Sequence, residues 1–342
     1  MEHKYLRWLS GETQSIYWHD SAIFAEEQEA YSNGAVGMTT NPFLVQSTLN
    51  ADRDFWQERL DALPKDLSGD AKAEALIRTV TSFYAEQFLP VYKKGIPGKG
   101  FVCAQTNPNK IGDAAYMIDQ MKRLAAMAPN IVIKVPATNA GIKTYEEGVA
   151  LGFNMAATVS FTVPQVLEVG AAAARGKERA LKNGIKPGLT IAVLMAGRLD
   201  DYLRDVAQDT GASVSESDIV QAGIACLKKA YRIFNGRGYD TFLMPAGCRG
   251  ANQVIELAGA RMIFSIAPKI VKMLPSDTPC VEKINIPVAQ DVIDRLMTMP
   301  EFRKAYLEDG MTREEFITFG SANRTTDQFI NDGWKPLLSY KY

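Results

Sequence analysis

A (β/α)₈ TIM barrel is the fold class the sequence predicts, and three observations predict it. Short apolar runs alternate with longer helical patterns almost throughout, the mark of βαβ units on a parallel sheet. Eight such runs can be counted, at residues 15–18, 36–39, 101–104, 131–135, 155–159, 189–194, 241–245 and 261–266. The length, 342 residues of which 46% are hydrophobic, suits one barrel with additional pieces. A doubly wound α/β sheet is the alternative. It lacks the G-x-G-x-x-G turn that would follow a strand, and Gly95-Ile96-Pro97-Gly98-Lys99-Gly100 precedes a strand without a P-loop ending, so it reads as a plain turn.

Between the runs, residues 71–88, 113–126 and 142–151 carry helix formers with apolar positions three and four apart. Ser217-Asp218 ahead of 219–234 reads as a capped amphipathic helix. The stretch 43–94 after the second strand is too long for one connection, and helices are expected there around 54–63 and 71–88. After the eighth strand, 288–297 and 313–319 read as further helices. They lead to Asp332-Gly333-Trp334-Lys335-Pro336 and an aromatic tail. The tail could cover the barrel mouth or a neighbouring subunit; packing on the outside is the expectation. No repeat or linker divides the chain, so residues 1–342 read as one domain, with a barrel core at about 15–270 and a C-terminal helical extension at about 271–342.

Charge and composition narrow the function. Thirty-eight basic residues face 39 acidic ones, and no basic block with interleaved aromatics appears, which disfavours a nucleic-acid surface. Cys103, Cys226, Cys248 and Cys280 are far apart, and the two histidines, His3 and His19, lie near the N-terminus. That pattern argues against a Cys/His metal site and against a disulfide framework. The first ten residues hold charges and aromatics without the apolar core of a secretory signal, and no apolar run reaches membrane-spanning length. A soluble cytoplasmic protein acting on a small molecule, with no cofactor and no metal, is expected; a homo-oligomer is left open.

Reactive groups in such a barrel project from the C-terminal ends of the strands. The polar residues there or close by are Asp20 (first strand), Thr39 and Asn41 (second), Gln105 (third), Asn154 and Thr158 (flanking the fifth), Arg198 (sixth) and Arg249 (seventh). The fourth strand, Asn130-Ile131-Val132-Ile133-Lys134-Val135-Pro136-Ala137-Thr138, holds Lys134 among branched apolar residues. A desolvated amine becomes a nucleophile toward carbonyl carbon. Taken alone, the same lysine could instead pack its stem and send its ammonium to water or a carboxylate.

Gly37-Met38-Thr39-Thr40-Asn41-Pro42 followed by the lysine strand resembles the transaldolase family. The resemblance continues through Gly152-Phe153-Asn154-Met155, Ala196-Gly197-Arg198-Leu199-Asp200 and Pro245-Ala246-Gly247-Cys248-Arg249, in order over roughly 15–270. It implies that Lys134 forms a Schiff base with the C2 carbonyl of a ketose. It further implies that Asp20 handles the proton of the hydroxyl at the cleaving carbon. Asn41 and Asn154 would hydrogen-bond the dihydroxyacetone unit with Thr39 lining the same side, and Arg198 and Arg249 would bind a terminal phosphate.

The departures from that family are specific. Transaldolases carry a glutamate that activates a water where this chain has Gln105, and an amide cannot take a proton at neutral pH. Ala156 stands for the threonine that helps hold that water, with Thr158 nearby; Val193 and Gly247 stand for serines near the phosphate. Glutamine at the third strand is the residue of the fructose-6-phosphate aldolase branch, which releases dihydroxyacetone. The insertion and the C-terminal helices resemble the longer transaldolases. Three readings follow: a transaldolase, an aldolase using the same Lys134, and a non-catalytic barrel that binds a sugar phosphate.

Overall fold

The computed structural model describes residues 3–342, so Met1 and Glu2 of the N-terminal segment lie outside the described residues. Its strands are β1 (Ile16–His19), β2 (Val102–Gln105), β3 (Ile131–Pro136), β4 (Asn154–Thr158), β5 (Thr190–Leu194), β6 (Phe242–Pro245) and β7 (Ile263–Ile266), paired in parallel throughout. Parallel strands covered on both faces read as continuous apolar runs, and apart from Asn154 every strand residue is buried. β2-β3-β4-β5-β6 form a five-stranded sheet, and β1 with β7 a two-stranded one.

Seven of the eight expected runs become strands. In the run at 36–39 only Met38 bridges, to His19 on one side and Val102 on the other, although Thr39 N donates to His19 O and Cys103 N to Met38 O. The segment is pinched between a left-handed turn at Gly34 (φ 91°) and Pro42, which opens a helix. A second isolated bridge, Leu243 to Met262, links β6 to the stretch before β7. The fold is therefore α/β with parallel strands, its two sheets joined by single bridges. Among the described residues no closed ring of continuous ladders forms, as the expected barrel would require.

The helices are α1 (Lys4–Glu12), α2 (Phe24–Ser32), α3 (Pro42–Ala51), α4 (Arg53–Asp61), α5 (Gly69–Tyr92), α6 (Ala114–Ala125), α7 (Asn139–Ala150), α8 (Val163–Lys182) and α9 (Ala196–Thr210). They continue with α10 (Glu216–Ile219), α11 (Ala222–Gly236), α12 (Asn252–Ile255), α13 (Pro268–Met273), α14 (Gln290–Leu296), α15 (Pro300–Tyr306), α16 (Gly320–Gln328) and α17 (Lys335–Ser339). None is long and apolar enough to cross a membrane. Side-chain caps at Asn41, Asp113, Thr138 and Thr162 start α3, α6, α7 and α8, each satisfying a backbone N–H that the first turn leaves open.

Two helical expectations change. The single helix expected at 219–234 is two, because Ser215 and Asp218 form a capping box that starts the short α10 before α11 begins. The helix expected at 313–319 is only a 3₁₀ turn, Phe316–Thr318.

Helices α14 and α15 pack on the outer helices α8 to α11, as expected, whereas the segment after them reaches the strand ends at Gln328 and Phe329. A π-helical turn, Phe329–Trp334, joins α16 to α17 and lies on α3. Trp334 Nε1 donates to Asp70 Oδ1 at 2.9 Å, and the Tyr340 hydroxyl to Leu49 O at 2.6 Å. Gly333 makes the approach possible, since a Cβ there would stand 2.6 Å from Phe43 N. The extension thus crosses the C-terminal ends of the strands, and Trp334, Phe316 and Phe302 join the same hydrophobic cluster as the strands.

Candidate active site

The strand ends open into a cavity of about 660 Å³ that Lys134, Asp20, Asn41, Thr158, Arg198 and Arg249 all line. Lys134 is only 7% exposed, flanked by buried Ile133 and Val135. Its Nζ donates to one protein acceptor, Thr40 O, at 3.1 Å, so two of the three ammonium donors remain for the cavity. The ladders make Gln105 and Ala156 its Cα partners on β2 and β4. Side chains in register point to the same side of the sheet, and the methyl of Ala156 leaves the lysine room.

Asp20 follows β1, its N–H donating to Ile266 O at 3.1 Å. Its Oδ1 accepts from Thr39 Oγ1 at 2.7 Å, and Thr39 Oγ1 lies 2.8 Å from Ser265 Oγ. Thr39 is buried behind the carboxylate and holds it, whereas the sequence reading had it lining the substrate side. Asn41 does two jobs at once: its Oδ1 caps α3 by accepting from Leu44 N at 3.0 Å, and the residue still lines the cavity.

Asn154 requires a correction. It begins β4, at the end of the strands remote from Lys134, and its side chain is occupied there. Nδ2 donates to Pro129 O at 2.9 Å and Ile131 O at 3.0 Å, and Oδ1 accepts from Leu189 N at 2.9 Å. It lines a different cavity, of about 760 Å³. Thr158, four residues on and therefore on the same face of the strand, is the β4 residue that reaches Lys134's cavity.

Arg198 and Arg249 come together because Gly197 lets two chain segments touch: a Cβ at Gly197 would meet Gly247 O at 2.5 Å. Arg249 is tied down, Nε to Asp201 Oδ2 at 2.6 Å and Nη1 to Gly247 O at 3.0 Å. Its backbone N–H donates to Gln253 Oε1 at 2.6 Å, and Gln253 Nε2 donates to buried Asp200 Oδ2 at 2.7 Å. Burial pushes the Asp200 carboxyl up to about 7. Arg198 is freer, for its Nε is buried with no hydrogen-bond partner. Burial, and then the neighbouring charge of Arg249, pull its guanidinium down to about 10; an anion seated between the two would relieve both costs.

Gln105 is buried beside Lys134 in register but does not line the large cavity; its Oε1 has no hydrogen-bond partner. Phe329 of the C-terminal turn stands at both places, with the Arg198 guanidinium 5.7 Å from its ring centroid. Ser265, Gln328 and Phe329 are lining residues the sequence reading missed. Ser265 carried a usable signal, a lone hydroxyl in the apolar run Ile263-Phe264-Ser265-Ile266. Gln328 and Phe329 carried none, since only the fold of the tail brings them there.

A buried amine, a held carboxylate and two guanidinium groups around one cavity can capture the carbonyl of a substrate that carries an anionic end. Known proteins point the same way. The family model Transaldolase/Fructose-6-phosphate aldolase matches residues 17–319, and parallel strands in an α/β fold are consistent with that family's barrel. Relatives include a transaldolase of Thiobacillus denitrificans, 25% identical over 63% of this chain and 60% of its own length. Transaldolase 1 of Streptomyces avermitilis is 27% identical over 71% of this chain and 68% of its own. Transaldolase 1 of Streptomyces coelicolor is 24% identical over 86% and 76%. The chain thus spans less than two thirds of the first of these relatives.

Proposed function

The chain belongs to the transaldolase/fructose-6-phosphate aldolase family, and on that premise we propose that it transfers a dihydroxyacetone unit from a ketose phosphate to an aldose phosphate through a Schiff base on Lys134. The observation that carries this reading is the buried Lys134 amine, with one backbone acceptor, facing a cavity that also holds Asp20, Arg198 and Arg249. In this reading the eight parallel segments, Met38's included, act as one barrel with its mouth at Lys134.

Lys134 Nζ, as the free amine, adds to C2 of the ketose, and loss of water leaves an iminium. Asp20 takes the proton of the C4 hydroxyl, the C3–C4 bond breaks, and its electrons pass to the nitrogen. An aldose phosphate leaves and a three-carbon enamine remains. Its C3 then attacks the aldehyde of the acceptor, Asp20 returns the proton, and water frees the ketose product. Thr39 holds Asp20, Asn41 and Thr158 meet the hydroxyls of the bound unit, and Arg198 with Arg249 hold the terminal phosphate.

Gln105 favours a second reading. An amide beside the lysine cannot act as a base toward water, and an aldolase would protonate the enamine and release dihydroxyacetone. Borohydride reduction with fructose 6-phosphate, followed by mass spectrometry, should leave an adduct on Lys134; no adduct with any ketose phosphate rejects both readings. Adding erythrose 4-phosphate separates them, a seven-carbon ketose phosphate indicating transfer and free dihydroxyacetone release. Gln105→Glu should move products toward transfer.

A further inference from the structure

Next to Lys134's cavity lies an enclosure of about 10 Å³, formed by the end of β2 from Gln105 to Pro108, by Pro136 and Val159, and by Thr326 and Phe329 of the C-terminal extension. That size is at the lower limit for one water molecule. Two polar atoms of residues in its wall, Gln105 Oε1 and Thr326 Oγ1, are buried with no hydrogen-bond partner in the protein. Each would cost about 1–3 kcal/mol if left unmade. Having both residues in the wall of one water-sized cavity makes a shared partner the economical account. An amide oxygen accepts and a threonine hydroxyl donates or accepts, so a single water can donate to Gln105 Oε1 and accept from Thr326 Oγ1.

Val159, in the same wall, adds a second observation. Its φ is 53°, left-handed backbone that a β-branched residue rarely adopts and that costs about 1–3 kcal/mol. Such strain persists only where surrounding structure enforces it. Here Gln165 Nε2 donates to Val159 O at 3.3 Å, and Ala137 N donates to Thr158 O at 2.6 Å. The bent strand end leaves the enclosure between β2 and α16.

We propose that Thr326 is a positioning residue: with Gln105 it holds one water molecule, and that water fixes the Gln105 amide beside Lys134. With Oε1 engaged on the Thr326 side, the NH₂ end is the one left to face the lysine and anything bound to it. The C-terminal extension thereby sets whether a donor or an acceptor meets the covalent intermediate. Where the group at Gln105 bears on transfer against release, the hydroxyl of Thr326 biases that partition. This role rests on the Lys134 reading above; the water site itself does not.

The test has two arms. A high-resolution crystal structure of the full-length protein should show a water within hydrogen-bond distance of Gln105 Oε1 and Thr326 Oγ1, absent in Thr326→Val and retained in Thr326→Ser. No water there in the wild type overturns the proposal. In the second arm, fructose 6-phosphate and erythrose 4-phosphate are supplied, and the ratio of free dihydroxyacetone to seven-carbon product is measured. Thr326→Val should shift the ratio by about fivefold, the effect of one lost hydrogen bond, while Thr326→Ser keeps the wild-type value. A purely structural role would lower total activity and leave the ratio alone. If Lys134 is trapped by borohydride in all three proteins and the ratio does not move, the Thr326 role alone fails. If the wild type gives no adduct, the Schiff-base reading fails and the role fails with it.

Discussion

The two ends of the strand bundle both carry a sizeable polar cavity, yet they treat their polar groups in opposite ways. At the N-terminal end, around about 760 Å³, several polar side chains are paired. Asn154 makes three hydrogen bonds to backbone, Lys177 pairs with Asp240, and Arg261 donates to Asp240 O. At the C-terminal end, around about 660 Å³, groups are left underused. Lys134 has one acceptor, Arg198 Nε has none, and Gln105 Oε1 has none. Burying polar groups without partners is costly, and a ligand received by the C-terminal cavity would offset that cost. Cavity size alone would choose the other end.

The sharpest way to break this comparison is Lys134→Met. It should abolish the borohydride adduct and reduce turnover to background while the protein still folds, as judged by circular dichroism; residual adduct formation would move the nucleophile elsewhere. Next in size, Arg198→Leu should raise KM for a phosphorylated ketose about ten- to a hundredfold, the worth of a charge-assisted contact, and leave an unphosphorylated ketose little changed. An equal loss for both substrates would argue against an anion site.

Asn154→Ala tests the other end. It should lower stability by about 1–3 kcal/mol through the backbone groups it strands, with kcat unchanged; a selective fall in kcat would return Asn154 to the chemistry.

The last effect is one of pH. The Asp200 carboxyl stands at about 7 in the folded protein against an ordinary 3.8, so between those values the native state keeps a proton that the unfolded chain has released. Its contribution to stability is fully present below about pH 4 and is lost as pH rises through about 7. Urea unfolding at pH 4.5 and 7.5 should show a smaller drop for Asp200→Asn than for the wild type. Parallel behaviour of the two would mean that Asp200 is ionised throughout.

Much of the mouth was legible because a polar residue inside an apolar strand, or just past its end, is conspicuous. Lys134, Asp20, Thr158, Arg198 and Arg249 carried that signal, and all line one cavity. Asn154 carried it too and lies elsewhere, because a strand of five residues spans much of the bundle and a motif does not say which end of it a side chain occupies. Thr39 was placed one layer too far forward, since hydroxyls that hold a carboxylate and hydroxyls that meet a ligand look alike in one dimension.

By itself the sequence determined the parallel α/β arrangement, through alternating periodicities that only certain local structures can bury, and the burial of an amine within the lysine strand. Tertiary structure alone decided how the run at 36–39 would pair, which end Asn154 occupies, and that Phe329 and Thr326 stand beside Gln105. The last of these depends on contact between segments more than two hundred residues apart, and the others on contacts beyond the reach of any single helix or strand. Local propensity carries no trace of such contacts, because they come into being only when the chain closes on itself.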